Sequence, residues 1–484
     1  MSSTKNDSRV KQQIKNNLQD EIMPALMQLV DQLPDDLAEL SDAEQMIRQA
    51  CLRIAGMILQ AWTEKAVHKI EVPRCPTCEK KMRHRGLKPC TLITTIGQVE
   101  YRRPRYRCDD CKIEIYPHDA AVRFLSHVVS QPLAMVIARM GSERAFGRVV
   151  EDLADDYNVR IGKQLAEQVT EHAGQHILDA EDARRDEIKS LSPQERVAAI
   201  AETTDRSNDS PREIAIACCD GAMLHTCEKP AYLKGETKNG PDWREVRVAN
   251  ISVGNRLPPR DSDQTNKKKK RGHDFRMNVT RSRSFARFES VEDVGMDMYL
   301  AAVESGYFDA PLRCFISDGA SWLRSIAEEH FPDAIMILDW FHAMEHIGEL
   351  SNLLFGQGSR KAKAWTSRRE TELWEGRLGA VFRAIDRQRE KTSWTRQQRE
   401  KIEATRTYLR NNRDRMDYPS YRRLGLPIGS GRVEGLCKTL VQGRCKQSGM
   451  RGWRPRGAEG VLRLRAARHD RTYKETWQKY FAKN

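Results

Sequence analysis

The stretch from Arg313 to His346, RCFISDGASWLRSIAEEHFPDAIMILDWFHAMEH, constrains the fold more than any other. A short apolar run from Cys314 to Ser317 ends in Asp318-Gly319, and a helical segment follows from Ser321 to about Phe331. Pro332-Asp333 breaks that segment, and a second apolar run from Ala334 to Leu338 ends in Asp339. The pattern is strand, helix, strand, with an acidic residue closing each strand. In open α/β sheets chemistry collects at the carboxyl ends of strands, so both carboxylates are candidate metal ligands. An ordinary Asp-Gly turn at 318 and an ordinary helix N-cap at 339 account for the same residues without any chemistry.

An Asp also closes an earlier run, Ile214-Ala215-Ile216-Ala217-Cys218-Cys219-Asp220-Gly221. Trp243 to Val253 alternates apolar and polar residues and reads as the next strand, and a third covers about Asn278 to Phe288. A helix over roughly Val291 to Glu304 then leads into the Arg313–His346 stretch. Three strands, helix, strand, helix, strand, helix is the ribonuclease H-like order. In that order the first and fourth strands are neighbours, which sets Asp220 beside Asp318. Adjacent strands lie about 4.8 Å apart. Two carboxylates at that separation can share divalent metals about 3.5–4 Å apart.

Two knuckles dominate the first third. Cys75-Pro76-Thr77-Cys78 and Cys108-Asp109-Asp110-Cys111 are separated by 29 residues, and together they supply four thiolates for tetrahedral zinc. Between them, Thr91 to Tyr101 is β-branched around a central glycine and reads as strands with a turn, so the unit is a zinc ribbon; Cys90 is not a ligand. Residues 79–107 hold nine Lys/Arg against two Asp/Glu, which suits a phosphate-facing surface.

Upstream, residues 8–68 read as helices: Val10, Ile14, Leu18, Ile22, Leu26 and Leu29, then Met46, Ile47, Cys51, Ile54, Met57, Ile58 and Trp62. Hairpin core and dimerisation both fit. From Glu143 to His176, Phe146, Val149, Val150 and Leu153 form one helical face, and Leu165, Val169 and His172 form another. A turn at Tyr157-Asn158-Val159 joins them. A DNA-binding helix–turn–helix and an ordinary helical hairpin both fit, and Arg160-Ile161-Gly162 offers the second helix no Ser/Thr cap.

Downstream of the core stretch, residues from about Glu349 to Tyr421 are helical and carry Trp365, Trp374 and Trp394, suited to core packing or to stacking on a base. The segment Leu426 to Leu440 then contains a flexible Gly429-Ser430-Gly431 turn, with Ser430 a potential cap and Glu434 in the first helical turn. That helix can lay Glu434 across the two strand-end aspartates; a dipole-favourable Glu at a helix start is the plainer account.

Net charge is +14, and residues 432–484 alone hold 14 Lys/Arg against 4 Asp/Glu. This points to a polyanionic partner, nucleic acid before anionic membrane. The expected DNA contacts are Lys267, Lys268, Lys269, Lys270 and Arg271 in one basic run, and Arg444, Lys446, Arg451 and Arg454 in the C-terminal part. No apolar run approaches the roughly 18 residues of a membrane span. The opening MSSTKNDSRVKQQIKNN has no signal-peptide core, so the expected location is cytoplasmic, with the nucleoid.

Taken together, the cysteine ribbon, CDGAML, WREVRV, ISDGASWLRSIAEEHFPDA, LDWFHAMEHI and GSGRVEGLCK resemble a DDE transposase. More closely, the chain resembles bacterial insertion-sequence transposases of the Kra type, related to the mutator-like group, over about residues 75–470. The resemblance implies Asp220, Asp318 and Glu434 as the three catalytic acids, holding Mg2+ or Mn2+, with Zn2+ in the ribbon. Asp339 and His342 fall where related transposases carry a Cys/Asp-x-x-His motif, as a supporting pair. It implies cleavage at the ends of a mobile element and strand transfer into target DNA by a homo-oligomer on double-stranded DNA. A nuclease without strand transfer and a DNA-binding regulator derived from a transposase are the alternatives.

The expected organisation is multidomain α+β: an N-terminal helical region (1–70), a zinc ribbon (71–120), a helix–turn–helix-like DNA-binding region (121–178) and a linker (179–213). The first part of a ribonuclease H-like α/β core (214–348), an all-helical insertion (349–425), and the final core helix with a basic tail (426–484) complete it.

Overall fold

The computed structural model describes residues 12, 15, 19–20, 22–65, 72–202, 212–227, 242–258, 275–447, 450 and 452–481. The chain is mixed α and β and divides into two units. One comprises Met1–Ala173 with Trp477–Asn484, and the other Gly174–Thr476. Among the described residues no helix is long and apolar enough to cross a membrane.

In the first unit, strands β1 (Arg83–Thr94), β2 (Gly97–Arg107) and β3 (Glu114–Ile115) form an antiparallel sheet. The Thr91–Tyr101 run is the tip of the β1–β2 hairpin, turned at Gly97, whose φ of +124° suits only glycine. A helix, Leu40–Lys65, packs on β2: the Gln60 amide accepts from Glu100 N at 2.7 Å and donates to Glu100 O at 2.8 Å. The helix Phe146–Tyr157 ends in Asn158, which takes the left-handed conformation. The next helix, Lys163–Ser190, buries Ala166, Val169 and Ala173, while Leu165 is only half-buried. His172 shares a 2.9 Å hydrogen bond with His127.

In the second unit, five strands lie in the order β6-β5-β4-β7-β8. They are β4 (Ile214–Thr226), β5 (Asp242–Arg256), β6 (Met277–Arg287), β7 (Leu312–Ser317) and β8 (Ile335–Leu338). The first three are antiparallel; β7 and β8 join parallel to β4. Alternation decides what each face of β4 meets. Ala215, Ala217 and Cys219 enter the core with Val294, Met298, Leu323 and Ile326 from helices Val291–Ser305 and Ser321–His330. Ile216, Cys218 and Asp220 therefore point to the opposite face. There the Gly431–Leu436 helix, a π-helical stretch Cys437–Gln442, and the helix Pro455–His469, which lies on β6, cover the sheet. Cover on both faces explains the unbroken buried run Ile214–Cys219.

Two readings change here. Asp220 does not end its strand: β4 continues to Thr226 in a long hairpin with β5, because Ala222 and Leu224 still bury their side chains. Nor is the charged stretch 179–213 simply a linker. Its first part lies in the Lys163–Ser190 helix, and Pro193–Glu202 is a further helix, packed against Val291–Ser305. Among its described residues several charges are paired inward, while Asp186 and Glu187 are exposed. Arg185 meets Glu289 at 2.5 Å, Arg463 meets Glu181 at 2.7 Å, and Arg287, 3% exposed, bonds Asp182 and lies 3.1 Å from Asp297. Composition cannot distinguish a hydrated charge run from one facing buried counter-charges.

The stretch after β8 is helical: Trp340–Phe355, Arg360–Trp374, Leu378–Arg389 and Arg396–Asn411. Its tryptophans pack internally. Trp374 meets Trp340 edge-on at 5.5 Å and carries the Arg422 guanidinium 3.6 Å from its ring, while Phe355 contacts Trp365 and Trp394. Core packing therefore accounts for them.

Candidate functional site

Strand register carries the first two acids together. The β4–β7 ladder runs from Ile214 opposite Leu312 to Cys218 opposite Ile316. Continued two residues further, the same offset sets Asp220 beside Asp318, where the ladder has opened. The β7–β8 ladder, ending with Ser317 opposite Leu338, likewise sets Asp339 beside Asp318. Three aspartates thus occupy one row across three strands.

Their environments differ. The Asp220 carboxyl is held above the ordinary carboxylate range, chiefly by burial. The Gly221 N–H, donating to it at 2.7 Å, opposes that rise, the negative charges of Asp318 and Glu434 add to it, and His342 counters them. One electrostatic neighbourhood therefore holds Asp220, Asp318, Glu434 and His342. Asp318 accepts from Ala320 N at 2.9 Å, and its backbone carbonyl accepts from the Tyr408 hydroxyl at 2.6 Å. Gly319, at φ +93°, completes the turn; a Cβ there would strike Asn412 and Leu338 at 2.8 Å.

Asp339 is fully buried. One oxygen accepts from Phe341 N and His342 N, capping the Trp340–Phe355 helix, and the other accepts from Ser430 N. Trp340 N also donates to Ile428 O at 2.8 Å. The carboxylate thereby ties the end of β8 to the loop that carries Glu434. Ser430 makes no side-chain cap of its own; its backbone N–H is the group in use. Asp339 meets the backbone of His342 and not its ring, whose buried Nδ1 has no hydrogen-bond partner among the described residues.

Asp339→Asn places an amide N–H against backbone donors, and losing hydrogen bonds to a charged group costs roughly 1.5–3 kcal/mol each. It should therefore lower the melting temperature more than Asp318→Asn, whose carboxylate, among the described residues, accepts only from Ala320 N. Thermal melts on both variants check this ordering.

A cleft of about 440 Å³ opens beside the acids, lined by Ile216, Cys218, Ile316, Phe341, Arg432 and Glu434 among others. Gly429 permits it: a Cβ there would lie 2.5 Å from the Phe341 ring. The π-helical stretch brings the Cys437 sulfur to 3.9 Å from Asp220 Oδ2, and burial followed by the Asp220 charge pushes that thiol up to about 12. Cys437 and Tyr408 were absent from the residues singled out in sequence. Cys437 lies in GSGRVEGLCK, three residues past Glu434, so its motif carried a signal; Tyr408 sits in an unremarkable helical repeat.

The predicted DNA contacts separate. Lys267–Arg271 and Arg451 lie outside the described residues. Lys446 and Arg454 are exposed. Arg444 is 1% exposed, with its guanidinium 4.8 Å from the Trp453 ring, so packing, not phosphate, occupies it. The segment read as a basic tail is largely a packed helix, with Ala458, Val461 and Leu462 fully buried.

In the first unit, the sulfurs of Cys75, Cys78, Cys108 and Cys111 all lie within 4.8 Å of one another, compatible with zinc binding. Tetrahedral Zn–S bonds of about 2.3 Å require sulfurs about 3.8 Å apart, and Cys78 and Cys108 stand at 3.6 Å. The knuckles share one backbone design. Glu79 N and Lys112 N donate back to Cys75 O and Cys108 O, and Glu79 and Lys112 both take positive φ, 57° and 61°. Backbone N–H groups from Thr77 and Cys78 pull the Cys75 thiol down to about 7. Cys90 lies apart from this cluster, 3.6 Å from Thr91 O and packed with Leu92, Val99 and Tyr101. Asp220, Asp318 and Glu434 do not form so tight a cluster; a pair of cations 3.5–4 Å apart does not need them to.

No protein-family model matches the chain. No curated protein matches it. Among solved structures, the Drosophila P element transposase strand transfer complex is similar at 10% identity and a TM-score of 0.18, over 69% of this chain and 84% of that chain. Function is therefore argued from the site.

Proposed function

We propose that the chain is a DDE transposase with a ribonuclease H-like core, in which Asp220, Asp318 and Glu434 hold divalent cations for DNA cleavage and strand transfer. The observation that carries this reading is the convergence of three carboxylates, from β4, from the end of β7 and from a helix over 200 residues downstream, on one electrostatic neighbourhood. Oxygen donors of this kind suit Mg2+ or Mn2+. When bound, the cations offset the mutual repulsion that raises Asp220, polarise the scissile phosphate and acidify the attacking hydroxyl. The chain's own groups then orient. Tyr408 and the Asp318-Gly319 turn fix the second acid, and Asp339 fixes the loop bearing the third. Water attacks a phosphodiester and frees a 3′-OH, which attacks target DNA; no side-chain nucleophile is required. In this reading the ribbon, Lys446 and Arg454 contact phosphate and set register.

Incubating the protein and Mg2+ with labelled duplex from the DNA flanking its coding sequence tests the proposal. Nicking at a discrete end, followed by joined products, is expected. Hydrolysis without joining would indicate a nuclease, and binding without cleavage a regulator.

Tyr408→Phe tests the positioning of Asp318. It leaves the part-buried Asp318 carbonyl short of a donor, at about 1 kcal/mol. The Mn2+ concentration for half-maximal cleavage should rise several-fold while cleavage at saturating Mn2+ recovers, read from a metal titration.

A further inference from the structure

We infer that the cleft beside Glu434 seats a nucleobase turned out of the duplex, from a nucleotide next to the cut phosphate, and that Arg432 reads the edge of that base. Glu434 itself lines the cleft, so the placement beside the cut rests on the catalytic reading of Asp220, Asp318 and Glu434. The floor is sheet. Ile216 and Cys218 project from β4 on the face that bears Asp220, and Ile316 of β7 stands beside Cys218, all three with buried side chains. Phe341 supplies an aromatic wall. At about 440 Å³ the cleft falls within the roughly 300–1,000 Å³ usual for small-ligand sites. An apolar floor, an aromatic wall and a few polar groups suit a flat heterocycle.

The exposed cation of the cleft selects a base as the occupant. Arg432 leans over the floor: its guanidinium donates to Ser252 Oγ at 3.3 Å, and Ser252 stands opposite Ile216 in the β4–β5 ladder. Among the described residues Arg432 has no carboxylate partner. A guanidinium carries five N–H donors in a fixed fork, so most of its donors await acceptors. Guanine presents a matching pair, O6 and N7, and is the base expected here. A purely apolar ligand would leave those donors unused, and a free phosphate would leave the apolar floor uncovered. Turning a base out costs unstacking and unpairing energy, which packing against Phe341 and hydrogen bonds to Arg432 offset. In return the attached phosphate is held in register with the three acids, the positioning that an in-line displacement requires.

The test uses the full chain carrying Asp220→Asn, so that bound DNA stays intact, with the duplex flanking the coding sequence. A fluorescent guanine analogue that brightens when unstacked, 6-methylisoxanthopterin, is stepped through the terminal positions of either strand, each time paired with cytosine. Brightening by several-fold is expected at one position. Gly431→Phe should abolish it: Gly431 lines the cleft, and a Cβ there meets nothing within 4 Å, so the ring enters the cleft without striking the packing. At that position guanine should bind roughly tenfold tighter than adenine, and Arg432→Gln should erase the difference. With Asp220 restored and Mg2+ present, Gly431→Phe should cut intact DNA several-fold more slowly than the native chain. On DNA lacking that one base the two should cut equally. A bound complex with no brightened position, brightening indifferent to Gly431→Phe, or a base preference indifferent to Arg432→Gln would each overturn the inference. Brightening that Gly431→Phe abolishes, in a native chain that never cuts in Mg2+, would leave the base pocket standing and sink the catalytic reading. Cutting without a brightened base would do the reverse.

Discussion

Asp220→Asn is expected to abolish metal-dependent DNA cleavage while leaving fold and DNA binding intact. The substitution keeps the shape of the side chain and removes one ligand charge. Cation stabilisation of a phosphoryl transition state contributes several kcal/mol, and each 1.36 kcal/mol is tenfold, so a loss of about three orders of magnitude or more follows. Stability should not fall. Burial and the charges of Asp318 and Glu434 raise the Asp220 carboxyl. A carboxyl raised on folding opposes folding at pH above its unfolded value, so a neutral amide there relieves repulsion. The same shift sets a pH dependence: as pH falls, Asp220 takes up its proton sooner than an ordinary carboxylate, and metal affinity should drop with it. Asp318→Asn and Glu434→Gln should match the cleavage defect. A variant that cuts at near-native rate in Mg2+ would remove that residue from the site, and a gel assay of end cleavage with a parallel thermal melt reads both quantities.

Cys75→Ser or Cys108→Ser should release zinc and unfold the knuckle end of the ribbon. Structural zinc contributes about 10–16 kcal/mol in small domains, and little else holds the knuckle end, whereas Leu92, Val99 and Tyr101 with Leu59 hold the hairpin tip. The apolar cluster beneath the knuckles has only Met82 and the two cysteines fully buried, with Tyr106, Ile113 and Ile115 partly so. Native protein purified without chelator should contain one zinc per chain, and either variant close to none. The β1–β2 hairpin should lose protection from proteolysis, and DNA binding should weaken. Cys90→Ser should not change zinc content, since its thiol lies outside the four-cysteine cluster. Full zinc occupancy in Cys75→Ser would exclude it as a ligand.

Local order was readable from residue order. The strand–helix–strand around Asp318 appeared within a few residues of its expected bounds, because apolar runs, Asp-Gly and Pro-Asp act on their own neighbourhood. The two cysteine knuckles were equally plain, since metal-ligand spacing is itself a local constraint. Where the reading failed, the deciding partner was distant in sequence. In sequence Arg444 reads as surface charge, but Trp453 covers it, and residues 179–190 read as linker, but Arg287, Glu289, Asp297 and Arg463 meet several of their charges.

What the sequence determined alone is the set of chemical groups and the short-range geometry: four thiolates at knuckle spacing, acids next to apolar runs, and a net positive charge. Tertiary structure decided what surrounds each acid. Asp318 and Asp339 look alike in sequence, each following a strand. Only the folded chain brings Ser430 N to Asp339 and commits both its oxygens to backbone N–H groups, while the charges of Asp318 and Glu434 both act on Asp220. The physical reason is that a carboxylate's chemistry depends on how many donors and charges surround it, and segments distant in sequence supply them.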